Sequence, residues 1–182
     1  MANEMSYPSA GHHDKDPGAV ANGFVEMKEM DRFRNKLIKR LELLGHKYIT
    51  DQNHETNTQY QSRIKPVKGD VLLDMHLDAG GPTATGCGVF VHKNASKETL
   101  EAAQELVDNC SKSMGIKNRG VKTEEQTARG KIGILSKGGI TVLIEFAFIT
   151  NIGDMKAFHE NEDCLVEIVL NWLIKWDKNQ QL

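Results

Sequence analysis

Ile140-Thr141-Val142-Leu143-Ile144-Glu145-Phe146-Ala147-Phe148-Ile149 is the longest apolar run in the chain. Its alternate residues are apolar on both sides, which fits a central β-strand covered on both faces. At ten residues, with Glu145 inside it, the run is far too short to span a bilayer. The cover is visible on either side of it in the sequence. Met27, Met30, Phe33, Leu37, Leu41 and Leu44 recur at helical spacing, with Gly45 as a stop. Leu100, Ala103, Val107, Cys110 and Met114 form a second stripe, with Ser96 as N-cap and Gly115 as stop. Leu165, Ile168, Val169, Trp172 and Trp176 form a third. Shorter helices are expected over residues 57–64 and 154–159. Strand-like runs lie at residues 47–50, 71–76, 89–92 and 140–149, and residues 78–88 and 118–130 read as loops. Strands alternating with helices of this length predict an α/β fold. The expectation is a single domain over residues 1–182, a mostly parallel twisted sheet with helices on both faces.

Composition excludes more than it identifies. The 182 residues suit one domain with a full core, at about 150 residues per domain. A formal net charge of −2 and the lack of a polybasic tail argue against a general nucleic-acid binder. The three cysteines, Cys87, Cys110 and Cys164, are widely spaced, so neither a disulfide framework nor a zinc ribbon is supported. Reduced, mostly buried thiols are expected. The start, Met1-Ala2-Asn3-Glu4-Met5, has no basic or apolar signal region. The expectation is synthesis in the cytoplasm without a signal peptide and no membrane insertion.

Four anomalies carry the chemistry. Glu145 is a carboxylate in the most hydrophobic strand, costly to bury unless paired, protonated or beside a metal. It either turns to solvent or capping duty at a strand end, or faces an inward site with a raised pKa. His76 ends the run Val71-Leu72-Leu73-Asp74-Met75, where α/β sheets bind ligands. Taken alone, it reads more readily as a core histidine bonded to a carbonyl. His12 sits in Gly11-His12-His13-Asp14-Lys15-Asp16-Pro17-Gly18, either a ligand-presenting loop or an ordinary polar turn. Glu26 opens the first long helix, where a carboxylate commonly offsets the helix dipole. Together, two histidines and a glutamate are the protein ligands of one type of catalytic zinc site, and a further carboxylate is the general base such a site needs. No HExxH is present, so the ligands must come from separate loops and strand ends.

These residues lie in four ordered blocks. They are Ala10-Gly11-His12 with Asp16-Pro17-Gly18-Ala19-Val20, then Asn22-Gly23-Phe24-Val25-Glu26, then Met75-His76-Leu77-Asp78-Ala79, then Val142 to Asn151. Arg119-Gly120-Val121-Lys122 adds a fifth. In this the chain resembles the zinc-dependent N-acetylmuramoyl-L-alanine amidases of bacterial autolysins and phage endolysins. The resemblance implies one zinc ion per chain, held by His12, Glu26 and His76, with Glu145 as the catalytic acid/base. It implies peptidoglycan as substrate, cleaved between the lactyl group of N-acetylmuramic acid and the L-alanine of the stem peptide. The chain departs from the family pattern at His13, Met75, Asp78, Ser136 and Gly139. Residues 80–86 are expected to border the substrate groove, and His46, His54, His92 and His159 to lie on the surface. With no wall-binding module expected, the chain reads as a bare catalytic unit, an endolysin acting at the cell wall after holin-type release.

Overall fold

The computed structural model describes residues 5–81, 83–127 and 129–178. Pro82 and most of the start on which the signal-peptide reading rests, residues 1–4, lie outside them. Within the described residues, β7 (Ile140–Phe148) is the middle strand of a five-stranded sheet. The order is β1 (Ser6–Ser9), β4 (Val71–Asp78), β7, β5 (Cys87–Val91), β6 (Asn118–Thr123). Three of the four pairings are parallel, and only β5 runs antiparallel to β7. A separate hairpin joins β2 (Val20–Ala21) to β3 (Phe24–Val25). Its turn is Asn22-Gly23, with φ of 52° and 83°, the positive angles that a two-residue hairpin loop demands.

Pleating explains the double coat of β7. Val142, Ile144 and Phe146 join Leu73, Met75, Val89 and Val91 in the larger core. Helices α1 (Glu26–Leu43), α3 (Lys97–Met114), α4 (Ile152–Glu160) and α5 (Glu162–Trp176) close that face. There Phe146 packs its ring 4.9 Å from Phe33 and 5.7 Å from Phe158. Leu143 turns the other way, into a smaller cluster with Leu72 and Phe90. That cluster is roofed by α2 (Asn57–Arg63), through Tyr60, and by a short 3-10 turn at Gly133–Ser136. The fold is therefore the expected α/β one, with a thick helical coat on one face and a thin one on the other. The thin side leaves room for a groove.

Local chemistry sets the helix ends. Ser96 Oγ accepts from the Thr99 amide and Gly115 takes the left-handed C-terminal position at φ 64°, as the sequence predicts. Leu100 differs from the expected stripe, being 43% exposed, because Thr99, Ala102 and Leu106 share the buried face instead. Two sheet expectations also change. Residues 118–123 are not loop but the edge strand β6, which is mostly polar and only half-buried, so it carries no apolar alternation. Residues 47–50 form no strand; Tyr48 makes one isolated bridge to Ser6. His46 is likewise not a surface residue. Its ring is 7% exposed, 2.9 Å from Ser6 Oγ and 3.3 Å from Asp177 Oδ2, which ties β1 to the end of α5. Among the cysteines, Cys87 and Cys110 are buried and Cys164 is exposed. No helix among the described residues is long and apolar enough to cross a membrane.

Candidate metal and catalytic site

Four backbone pieces deliver the four sequence-predicted side chains to one groove. His12 lies in the turn after β1, Glu26 opens α1 directly after the hairpin, His76 is near the end of β4, and Glu145 is on β7. His76 and Glu145 are opposed in register across the β4–β7 pair. The carboxyl ends of parallel strands are where open α/β sheets present such residues.

His12, Glu26 and His76 converge. His12 Nε2 is 3.0 Å and His76 Nδ1 is 2.9 Å from the same oxygen, Glu26 Oε1. The two rings meet edge to face at 4.9 Å. Glu26 is itself fixed, since Oε1 also accepts from the Leu77 amide at 3.1 Å and Oε2 from the Ala19 amide at 2.8 Å. Both imidazoles have a carboxylate behind them: Asp16 Oδ2 lies 3.2 Å from His12 Nδ1 and Asp74 Oδ2 lies 3.1 Å from His76 Nε2. The Asp16 contact is off the line of a hydrogen bond, whereas the Asp74 contact is aligned. Carboxylates of this kind fix the tautomer and orientation of metal-ligating histidines. Sequence reading assigned no role to either, although Asp74 interrupts an apolar strand much as Glu145 does. His13 is turned away, with its Nδ1 accepting from the Lys15 amide.

The electrostatics are those of a tight ionic cluster. Burial pushes the Glu26 carboxyl upward, but the hydrogen bonds to His12 and His76 outweigh it and hold it well below the usual range. Burial also opposes charge on His76, yet Asp74 and then Glu26 and Glu145 raise its pKa well above the ordinary value. Glu145 is pushed up to about 8, chiefly by burial, with His76 opposing and Asp78 and Glu26 adding to the rise. Its Oε2 is buried without a hydrogen-bond partner.

Two glycines make this packing possible. A Cβ on Gly18 would lie 2.5 Å from Glu26 Oε2 and 2.7 Å from His12 Nε2, and one on Gly11 would collide with the His76 ring. Both also have positive φ, at 65° and 72°. The His12 turn is fastened from below by Asp51, which accepts from the Ala10 amide at 3.1 Å and from Arg34 Nη1 at 2.8 Å. Arg34 is only 3% exposed. Asp51→Ala should therefore cost about 3 kcal/mol of stability, because a buried guanidinium loses a main partner. Urea unfolding measures it, and a loss below about 1 kcal/mol would show that Asp51 does not fasten this turn.

The departures at Asp78 and Ser136 have local explanations. Asp78 Oδ2 pairs with Arg119 Nη2 at 2.8 Å, and that guanidinium lies 4.5 Å above the Phe148 ring. Ser136 is exposed, and among the described residues its hydroxyl bonds its own turn, at Gly133 O. Thr83, Ala84 and Thr85 line a second cavity of about 330 Å³ that shares Arg119 and Lys122 with the main groove. Of the loop 80–86 expected to border the groove, these three residues line that neighbouring cavity, and none of its described residues lines the main groove.

Fold and site together define an α/β protein with a mostly buried His-Glu-His cluster beside a half-buried carboxylate whose inner oxygen has no hydrogen-bond partner among the described residues. The chain belongs to the N-acetylmuramoyl-L-alanine amidase family, whose model matches residues 9–169. It is 29% identical over 166 residues to the uncharacterized protein CPE1502 of Clostridium perfringens (strain 13 / Type A), covering 86% of this chain and 47% of that one. It is 26% identical over 161 residues to the N-acetylmuramoyl-L-alanine amidase LytC of Bacillus subtilis (strain 168), covering 85% of this chain and 31% of LytC. The chain thus spans less than half the length of these curated relatives. The crystal structure of the N-acetylmuramoyl-L-alanine amidase from Clostridium difficile 630 superposes with a TM-score of 0.79 at 19% identity, covering 98% of this chain and 100% of that one.

Proposed function

We propose that this protein hydrolyses peptidoglycan at the amide between the lactyl group of N-acetylmuramic acid and the L-alanine of the stem peptide. In this reading His12, Glu26 and His76 hold one zinc ion per chain and Glu145 is the acid/base. The observation that carries it is the convergence of two imidazole nitrogens on one Glu26 oxygen, with Glu145, whose Oε2 is buried and unpartnered, in register with His76 on the next strand.

The donor set fits zinc. The three ligand atoms lie within 4.8 Å of one another, and His₂Glu is a ligand set that catalytic zinc sites use. Gly11 and Gly18 keep that space clear. Zinc bound there acidifies a water and polarises the scissile carbonyl. Glu145 takes a proton as the water oxygen attacks the carbonyl carbon. It then delivers that proton to the nitrogen of L-alanine as the carbon–nitrogen bond breaks. Asp74 holds the His76 ring in its orientation, and the Leu77 and Ala19 amides hold Glu26. In a bacterium the protein would work as the catalytic unit of an autolysin or endolysin.

Purified cell walls test this. Turbidity should fall while new amino termini appear in equal measure. Chelation should lower the rate more than about 100-fold, and zinc should restore it. Reducing sugar ends without new amines would identify a glycosidase instead. Mass spectra should show intact stem peptides beside bare glycan; shortened stems would identify a peptidase.

A further inference from the structure

The groove around Glu145 encloses about 690 Å³ and is lined by charges of both signs. Asp16, Glu26, Asp74 and Asp78 line it together with Arg119, Lys122, Arg129 and Lys131, which come from a single stretch of chain. Sheet register puts β6 on the same face as the site: Leu143 opposes Phe90, and Phe90 opposes Lys122. In the next row Glu145 opposes Gly88, whose missing side chain lets the Arg119 guanidinium lie over it, with Cζ 3.6 Å from the position of a Cβ. Arg119 is pinned by Asp78 and Phe148. Lys122, Arg129 and Lys131 make no ion pair among the described residues, and they border the apolar floor of Phe90, Ile134 and Leu143.

Unpaired cations over an apolar floor suit an anionic peptide better than a neutral sugar. Asn57 and Gln61 also line the groove, with neutral polar groups of the kind that sugar hydroxyls bond. Without those cations, the acidic cluster would repel any substrate bearing carboxylates. We propose that Lys122, Arg129 and Lys131 bind a free carboxylate of the stem peptide, so that the peptide runs along residues 119–131. This rests on the amidase reading above and adds a direction to it, together with sensitivity to amidation of the stem.

Three synthetic muramoyl peptides test it. One keeps both stem carboxylates, one has the α-carboxyl of the glutamyl residue after L-alanine as a carboxamide, and one has the C-terminal carboxyl as a carboxamide. The protein should cleave the first about tenfold better in kcat/KM than at least one carboxamide, mainly through KM. That preference should shrink in high salt. In the triple variant Lys122→Gln, Arg129→Gln, Lys131→Gln, the KM for the first substrate should rise to that of the carboxamide. Equal cleavage of all three substrates by the unaltered protein overturns the proposal, as does a preference that persists in the variant. Failure to cleave any of them overturns the amidase reading and this proposal with it.

Discussion

Glu145→Gln should lower peptidoglycan cleavage by about 10²–10⁴-fold while the protein still binds close to one zinc per chain. The size follows from losing a positioned proton carrier. The amide keeps the shape of the side chain but takes up no proton from water at neutral pH. Metal binding should survive because Glu145 is not among the three ligand atoms that converge. A second readout separates a chemical role from a packing one. In the metal-free protein the Glu145 pKa is raised to about 8 by burial, against an ordinary value near 4.5. A carboxyl raised on folding contributes most below its unfolded pKa, and that contribution is lost as pH rises through the folded value. Metal-free Glu145→Gln should therefore match the unaltered protein near pH 4 and exceed it by several kcal/mol, at most about 5, at pH 8.5. Equal urea midpoints at both pH values would mean that the carboxyl is not strained. Loss of zinc from the variant would make Glu145 a ligand and overturn its assignment as the proton carrier.

The same residue shows why much of this molecule is legible from sequence. A run apolar on both alternating faces needs cover on two sides, and β7 has it. A carboxylate within such a run is an anomaly that local propensity cannot explain, and it marks the groove. His12 and Glu26 are legible for a different reason: each sits in a short block whose backbone is specified by glycine, and the His76 ring packs against one of those glycines. Gly11 and Gly18 lie against the ligand atoms, and Asn22-Gly23 makes the turn that puts Glu26 at the head of α1.

What stays hidden is set by pairing between distant strands. β6 has one apolar side chain, Val121, among Asn118, Arg119, Gly120, Lys122 and Thr123, so nothing local separates it from a loop. Only its register with β5 carries Lys122 into the row of Phe90 and Leu143. β1 is buried yet rich in serine, because Ser6 bonds Asp177 and Ser9 Oγ accepts from the Gly11 amide. His46 reads as a surface residue for the same reason: its partners lie 40 and 131 positions away. Asp74 is the instructive omission. It stands two residues before His76, directly after the buried apolar run Val71, Leu72 and Leu73 and before buried Met75. The signal that singles out Glu145 applies to it equally.

Glu26→Gln should abolish cleavage by a different route, through loss of the metal. Glu26 Oε1 faces His12 Nε2, His76 Nδ1 and the Leu77 amide, and Oε2 faces the Ala19 amide. An amide cannot satisfy that arrangement in either orientation. With its oxygen in the place of Oε1, its NH₂ confronts the Ala19 N–H; reversed, the NH₂ confronts the Leu77 N–H and the histidines. Either way a buried donor faces a donor, at a cost of about 1–3 kcal/mol. The variant also loses the negative charge that balances a divalent cation between two neutral imidazoles. Zinc affinity should fall more than about 100-fold, beyond the 10–100-fold typical when only an outer partner of a ligand is lost. The fold should persist, because a first-turn glutamate contributes only about 0.3–1 kcal/mol to its helix. Far-ultraviolet circular dichroism controls for that. The pair of variants is then diagnostic: Glu145→Gln inactive with zinc bound, Glu26→Gln inactive with zinc absent. A Glu26→Gln protein that holds zinc as tightly as the unaltered chain would remove Glu26 from the ligand set.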